Sequence, residues 1–416
     1  MRGPGGSAHT DVPTDGAPGA GPSTTERREP RAPTSLGTAP GATVPADGAA
    51  PAAKPSAAAR DPFFDNAKFL AIVLVVVGHS WEALRDDNRV LAAGYLLLYA
   101  FHMPAFTLIS GYFSRSFRHE PRQLKRLVGS VLVPYAVFEI ALNVFRAWAD
   151  GEELKISLLH PWYLTWFLMA LFIWRLTAPL WQQVRHPILL STAVAALASI
   201  DPGIGPDLGL QRVLQFLPFF VLGLKMRPEH FTRLRDRRVR IAAVPVLAGG
   251  ALIAYWAVLR MNPDWFYRRD AAQDLNAPWW TGVSMTVGML VCSLALSFAF
   301  LALVPSRRTW FTALGAGTLY AYLLHGFLAK GAHFWGWYDN AFSGTVLGAV
   351  TISALAAVLA VVLTTAPVRR VFRCVMEPKL DWLFHDPARP SGAPNTPSGE
   401  GSSTSTGRRD GEQSTV

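Results

Sequence analysis

Charge is scarce in this chain. Asp, Glu, Lys and Arg make up 16% of its 416 residues, against roughly a quarter in soluble domains, which argues against a soluble body. Cysteine is rarer still: Cys292 and Cys374 are the two present, so no disulfide framework and no metal site is expected. The chain lacks a Walker loop, a dinucleotide fingerprint and a heptad seam, and GAGT at 315–318 is too short to cradle a phosphate. An ATP-driven pump built from this chain is therefore not expected. The net charge of +10 does not point to nucleic acid, because the basic residues cluster in short loops between apolar runs, where they report topology.

Hydrophobic residues make up 50% of the chain, with 14 Trp and 24 Phe. Apolar runs of about 18–24 residues recur along it, the signature of transmembrane helices. The pattern predicts an all-α polytopic membrane protein, a bundle of about ten helices over 64–84, 91–114, 127–147, 161–182, 187–200, 212–226, 241–259, 281–304, 313–330 and 344–366. The fifth and sixth runs are short. Residues 1–60 and 386–416 are polar and of low complexity, and are expected to be disordered tails flanking a membrane domain at 61–385. Arg27 and Arg28 precede no apolar stretch, so they do not read as an export signal. One set of loops carries 19 Lys and Arg and the other set six, which predicts both termini on the cytoplasmic side of a plasma-membrane protein.

Within the first run, DNAKFLAIVLVVVGHSW (65–81), ten uncharged residues separate Lys68 from His79. At 1.5 Å per residue the imidazole lies roughly 16 Å from the lysine along the axis. An ionisable group held at that depth is costly and marks a functional site, and histidine is suited to general base work near neutral pH. His102, Glu139 and His325 also fall inside apolar runs, roughly 20–25 Å from the same side. They suggest one polar cavity, with Glu139 orienting a histidine or binding substrate; each also has a plain reading as an interhelical hydrogen-bonding residue. Glu82, three residues after His79, reads either as its partner or as a solvated boundary residue. Asp65 and Asn66 read as helix caps. The basic segment from Arg115 to Arg126 reads as topology or as a phosphate clamp shared with Lys68. Arg175 reads as a snorkelling side chain. Trp162, Tyr163 and Trp166 read as an aromatic belt, or as a platform for a sugar ring.

These segments resemble, in order, the acyltransferase family 3 integral-membrane proteins, especially their fucose O-acetylase-like branch. DNAKFLAIVLVVVGHSW resembles the family's first span, FHMPAFTLISGYFS (101–114) its second, and RQLKRLVGSVLVPY (122–135) the approach to its third. WYLTWFLMALFIW (162–174), LQFLPFFVLGLKM (214–226) and LGAGTLYAYLLHGFL (314–328) resemble later segments, so the likeness covers about 61–370. The resemblance implies transfer of an acyl group, often acetyl, from cytoplasmic acyl-CoA as co-substrate to a hydroxyl of a carbohydrate or glycolipid. It carries the essential family histidine onto His79, the basic partner onto Lys68, and the donor-side arginines onto Arg122 and Arg126. No bound cofactor is implied. Relatives with an extracytoplasmic catalytic domain need a long soluble C-terminal region, which this chain does not carry, so a separate carrier or transferase partner is left open.

From these readings the expected catalytic residues are His79, Glu139 and His102, the donor-binding residues Lys68, Arg122 and Arg126, and the acceptor-binding residues Trp162 and His325. Attack of a hydroxyl on a thioester needs a base and an oxyanion stabiliser, and His79 reads either as that base or as a covalent acyl carrier. Ser110 in SGYF lies outside a nucleophile elbow and reads as an interhelical hydrogen bond. The rival function from another class is a transporter or flippase using the same polar cavity without chemistry. The two halves show no inverted repeat, which argues against it.

Overall fold

The computed structural model describes residues 61–384 apart from 87, 379, 381 and 382. The expected tails, Arg27, Arg28 and Lys379 lie outside the described residues. Helix α1 (Pro62–Ser80) starts where Asp61 Oδ1 accepts the Phe63 amide at 3.0 Å, with Pro62 at the position where its missing N–H costs nothing. This corrects the reading of Asp65 and Asn66 as caps. Both lie inside the helix, and buried Asn66 donates instead to the carbonyls of Pro305 and Arg307 at 2.8 and 3.0 Å. Helix α2 (Arg89–Phe113) is capped by Asn88, which accepts from the amides of Val90 and Leu91.

Next come α3 (Pro121–Leu127), a π turn (Val128–Leu132) and α4 (Val133–Asp150), joined as one helix. Pro134 explains the π turn: its ring crowds the carbonyl four residues earlier, and the widened turn makes room for it. Then follow α5 (Trp166–Gln183), α6 (Pro187–Ala198), α7 (Leu210–Lys225), α8 (Pro228–Leu234), α9 (Arg237–Ala257), α10 (Asp264–Tyr267), α11 (Trp279–Leu303), α12 (Thr318–Phe334), α13 (Val346–Leu363) and α14 (Ala366–Met376). Among the described residues there is no strand.

The chain is a multi-pass helical membrane protein. Among the described residues seven helices are long and apolar enough to cross a bilayer: α1, α2, the joined α3–α4, α7 with its leading turn, α9, α11 and α13. Of the other three expected spans, α6 has 12 residues and α12 has 17, short of a bilayer core about 30 Å thick at 1.5 Å per residue. The third, α5, has 18 residues and carries Arg175. Exposed Ile241, Val244, Leu252 and Ile253 on α9 face outward, as expected of a helix bathed in lipid rather than water.

At one end of the bundle, here the basic end, Arg235 pairs with Asp61 at 2.6 Å, Arg115 reaches the Met226 carbonyl at 3.0 Å, and Lys225 reaches that of Gln182 at 3.2 Å. At the opposite end Arg85 donates to the Tyr267 hydroxyl at 2.6 Å and Arg89 to the Tyr255 carbonyl at 2.8 Å.

Helices α2 and α7 cross backbone against backbone. A Cβ on Gly111 would strike the Phe220 carbonyl, and one on Gly223 that of Leu108. Gly223→Ala is therefore expected to destabilise the protein by about 1–3 kcal/mol, the usual cost of overpacking. The measurement is the melting temperature in detergent, followed by size-exclusion chromatography. A variant that melts with the parent would show that this crossing opens without cost.

Candidate active site

His79 sits in the last turn of α1, with 13% of its side chain exposed. Its Nδ1 lies 2.9 Å from the hydroxyl of Tyr163, in the segment that leads into α5. The same hydroxyl donates to Glu82 Oε2 at 3.4 Å, and Lys330 of α12 donates to Glu82 Oε1 at 3.2 Å while lying 4.4 Å above the Tyr163 ring. Burial pushes the Glu82 carboxyl up, but its hydrogen bond with His79 and the Lys330 charge outweigh that and hold it at about 2. Burial, together with the Glu82 charge, pushes the Tyr163 phenol well above its ordinary value. Glu82 is thus an anion and Tyr163 a neutral phenol near neutral pH. The His79 ring also lies 5.3 Å from that of His325 and 6.0 Å from that of Tyr99.

A cavity of about 600 Å³ opens at the opposite end beside this group, with His79, Glu82, Tyr99, His102, Trp162 and Lys330 in its wall. A second cavity, of about 770 Å³, opens at the basic end. It is lined by Lys68 of α1, Arg126 of α3, Ser130 and Val131 of the π turn, Arg175 of α5 and Arg369 of α14. Its one acid is Glu377, so its wall is strongly cationic. Met103 and Tyr322 line both cavities. Met103 directly precedes Pro104, which interrupts the hydrogen-bond ladder of α2, and Tyr322 is tied through its hydroxyl to the Leu164 carbonyl. The two cavities therefore approach from opposite ends and share a wall at Met103 and Tyr322, one residue from His102.

The structure brings together His79, His102 and Trp162 in one wall, and Lys68 and Arg126 in the other. The Nδ1 of His102 lies 2.6 Å from the Leu98 carbonyl, so Nε2 is its remaining nitrogen. His325 lies against His79 but lines neither of these cavities; its Nδ1 is 2.9 Å from the Ala321 carbonyl, and its Nε2 has no hydrogen-bond partner among the described residues. Glu139 is not brought to the histidines. It is fully buried and accepts from the Trp162 amide, from Asn143 and from the Thr165 hydroxyl, which anchors the segment carrying Tyr163. Arg122 is exposed and lines neither cavity.

Sequence reasoning missed Tyr163 as the His79 partner, Lys330, and Arg369. Spacing flags Glu82 one helical turn from His79, whereas Tyr163 and Lys330 arrive from 84 and 251 residues away with no local signal. Arg175 proves to be no simple snorkeller: it lines the basic-end cavity and its Nε donates to the Ser114 hydroxyl at 3.3 Å. Trp162 and Tyr163 belong to the cavity wall rather than to a lipid-facing belt.

Comparison with known proteins gives two findings. A family model described as an acyltransferase domain matches residues 61–366. The nodulation protein NolL of Sinorhizobium fredii (strain NBRC 101917 / NGR234) is 28% identical over 181 residues, which cover 39% of this chain and 48% of that protein. The chain thus spans about half the length of this curated relative. No solved structure matches.

Proposed function

The chain belongs to the acyltransferase family whose model covers its membrane domain, and from that premise we propose that it transfers an acyl group, acetyl in the first instance, from acyl-CoA to a hydroxyl of a carbohydrate or glycolipid. The observation that carries this reading is the wall of Met103 and Tyr322 that the two cavities share beside His79 and His102. The donor occupies the basic-end cavity. Guanidinium groups suit phosphates because they bind them through paired, charge-assisted hydrogen bonds, and Arg126, Arg175 and Arg369 supply the charge there, with Lys68 beside them in a 2.7 Å pair with Asp65. The basic end then faces the cytoplasm of a plasma-membrane protein, in keeping with the excess of Lys and Arg in its loops. The acceptor enters the opposite-end cavity, where Trp162 offers a flat face to a sugar ring.

His79 acts as general base in this reading. Tyr163 has one hydroxyl proton. If it is given to the Glu82 carboxylate, the Tyr163 oxygen accepts from His79 Nδ1–H, and Nε2 keeps its lone pair. Nε2 takes the proton from the acceptor hydroxyl as its oxygen attacks the thioester carbonyl. The carbon–sulfur bond then breaks, and the CoA thiolate leaves with the proton returned from the imidazolium. His102, 4.9 Å from the Tyr99 ring, spends its Nδ1–H on the Leu98 carbonyl, so its Nε2 holds a lone pair that can accept a hydrogen bond from the acceptor hydroxyl. His325 supports the His79 ring. Glu139 acts at one remove, by holding the segment that carries Tyr163.

The donor half of the reading is tested by comparing two neighbouring arginines. Arg126→Ala is expected to raise the KM for acetyl-CoA about tenfold or more, the scale of a lost charged hydrogen bond. Arg122→Ala is expected to change it less than about twofold. The measurement is initial rate against acetyl-CoA for purified protein in nanodiscs. Equal effects of the two substitutions would place the donor elsewhere.

A further inference from the structure

We infer that Arg212 is an anion-binding site in the opposite-end cavity and that the acceptor therefore carries an oxyanion, a carboxylate or a phosphate, close to the hydroxyl it offers. The identification of this cavity as the acceptor site rests on the reading above; the anion site itself does not.

Arg212 lies in the first turn of α7 and lines the cavity. Its Nε donates to the Tyr267 carbonyl at 3.2 Å, and its guanidinium stands 5.0 Å from the centre of the Trp166 ring. Among the described residues no carboxylate pairs with it, and its terminal nitrogens carry no hydrogen bond. They are not enclosed in protein either, since they are absent from the buried unpartnered atoms. A guanidinium has five N–H donors, and the protein uses one of Arg212's. Holding a charge away from bulk water without a partner is expensive, so an arginine left in this condition beside a cavity is completed by what enters the cavity.

The neighbouring charges do not supply that partner. The acids in the wall are Glu82, Asp264 and Asp270. Glu82 is taken by Lys330 at 3.2 Å, while Asp264 and Asp270 are taken by Arg269, each at 3.1 Å. The remaining wall cation, Arg85, meets only Asp86, at 3.5 Å and largely exposed, and donates to the Tyr267 hydroxyl at 2.6 Å. Tyr267 is thus gripped by one arginine at its hydroxyl and by another at its carbonyl. The wall carries a surplus of positive charge, concentrated on Arg212 and Arg85. The volume, about 600 Å³, falls in the range that takes a small ligand, and Trp166 beneath the guanidinium offers a ring face beside the charge.

The test reads binding without any donor, so failure of acyl transfer and failure of the anion site are separate results. Purified protein in phosphatidylcholine nanodiscs is titrated calorimetrically with glucose, glucuronate and glucose 1-phosphate. At least one of the two anions is expected to bind about tenfold or more tightly than glucose, as a charge-assisted bidentate pair implies; which one wins tells a carboxylate-bearing acceptor from a phosphate-bearing one. Arg212→Gln is expected to erase the preference. Arg260→Gln, exposed outside the cavity with its Nη1 donating to the Trp256 carbonyl at 2.9 Å, is expected to leave it within about threefold. Because Arg212→Gln is open to misfolding, the parent protein is also treated with phenylglyoxal and mapped by mass spectrometry. The preferred anion is expected to protect Arg212, and glucose is not. Equal binding of all three probes, a preference that survives Arg212→Gln, or failure of the anions to protect Arg212 would each overturn the proposal.

Discussion

His79→Ala is expected to abolish acyl transfer while leaving the protein folded and inserted. A positioned general base contributes about 10²–10⁴-fold in rate, and no other imidazole in the opposite-end cavity has a carboxylate and a phenol arranged behind it as Glu82 and Tyr163 are behind His79. His102 rests on a backbone carbonyl alone. His79→Gln is the sharper variant. It keeps a hydrogen-bonding group for Tyr163 and similar bulk but has no basic nitrogen, so it too is expected to lose at least about 100-fold. A purely structural histidine would give the reverse order, with Gln close to the parent and Ala poorly folded. The measurement is acetyl transfer by protein in nanodiscs, normalised to the folded fraction. Substantial turnover by the Gln variant would remove His79 as base and as acyl carrier, and would move the chemistry to His102.

Glu82→Gln is expected to slow transfer about 10–100-fold, the scale of a charged hydrogen bond lost. Glu82 has its carboxyl held at about 2, where burial is outweighed by His79 and Lys330. Its value is lowered on folding, so its stabilising contribution is present above the ordinary carboxylate range and is lost only as the pH falls through about 2. The parent enzyme therefore shows no limb from Glu82 between pH 5 and 9. Tyr163→Phe is expected to lower kcat with little change in the KM for acetyl-CoA, since the phenol lines the opposite-end cavity and not the donor cavity. Turnover by Glu82→Gln within about threefold of the parent would show that the carboxylate serves the fold and not the imidazole.

The sequence by itself determined the class of this protein and the position of His79 along its helix. Long apolar runs can satisfy their backbone in lipid only as helices, so the helical membrane architecture follows from composition and run length. The ten-residue spacing of Lys68 and His79 likewise follows from helical rise alone. His79, His102, Trp162, Lys68 and Arg126 were legible because each lies near a fixed point of a single helix or its entry. What the tertiary structure decided is which distant side chains share a cavity. Glu139 has the same depth signal as the histidines, yet helix packing turns it toward Trp162, Thr165 and Asn143, where it supports a segment instead of lining a cavity. Arg122 and Arg126 are four residues apart in one basic run, and of the two it is Arg126 that lines the cavity, with Ser130 and Val131 of the π turn, Arg175 of α5 and Arg369 of α14. Tyr163, Lys330 and Arg212 carry no local pattern, since contacts between helices far apart in the chain leave no trace in the periodicity of either one. Where a side chain sits along the membrane normal is a property of its own helix; what it faces at that depth is a property of the bundle.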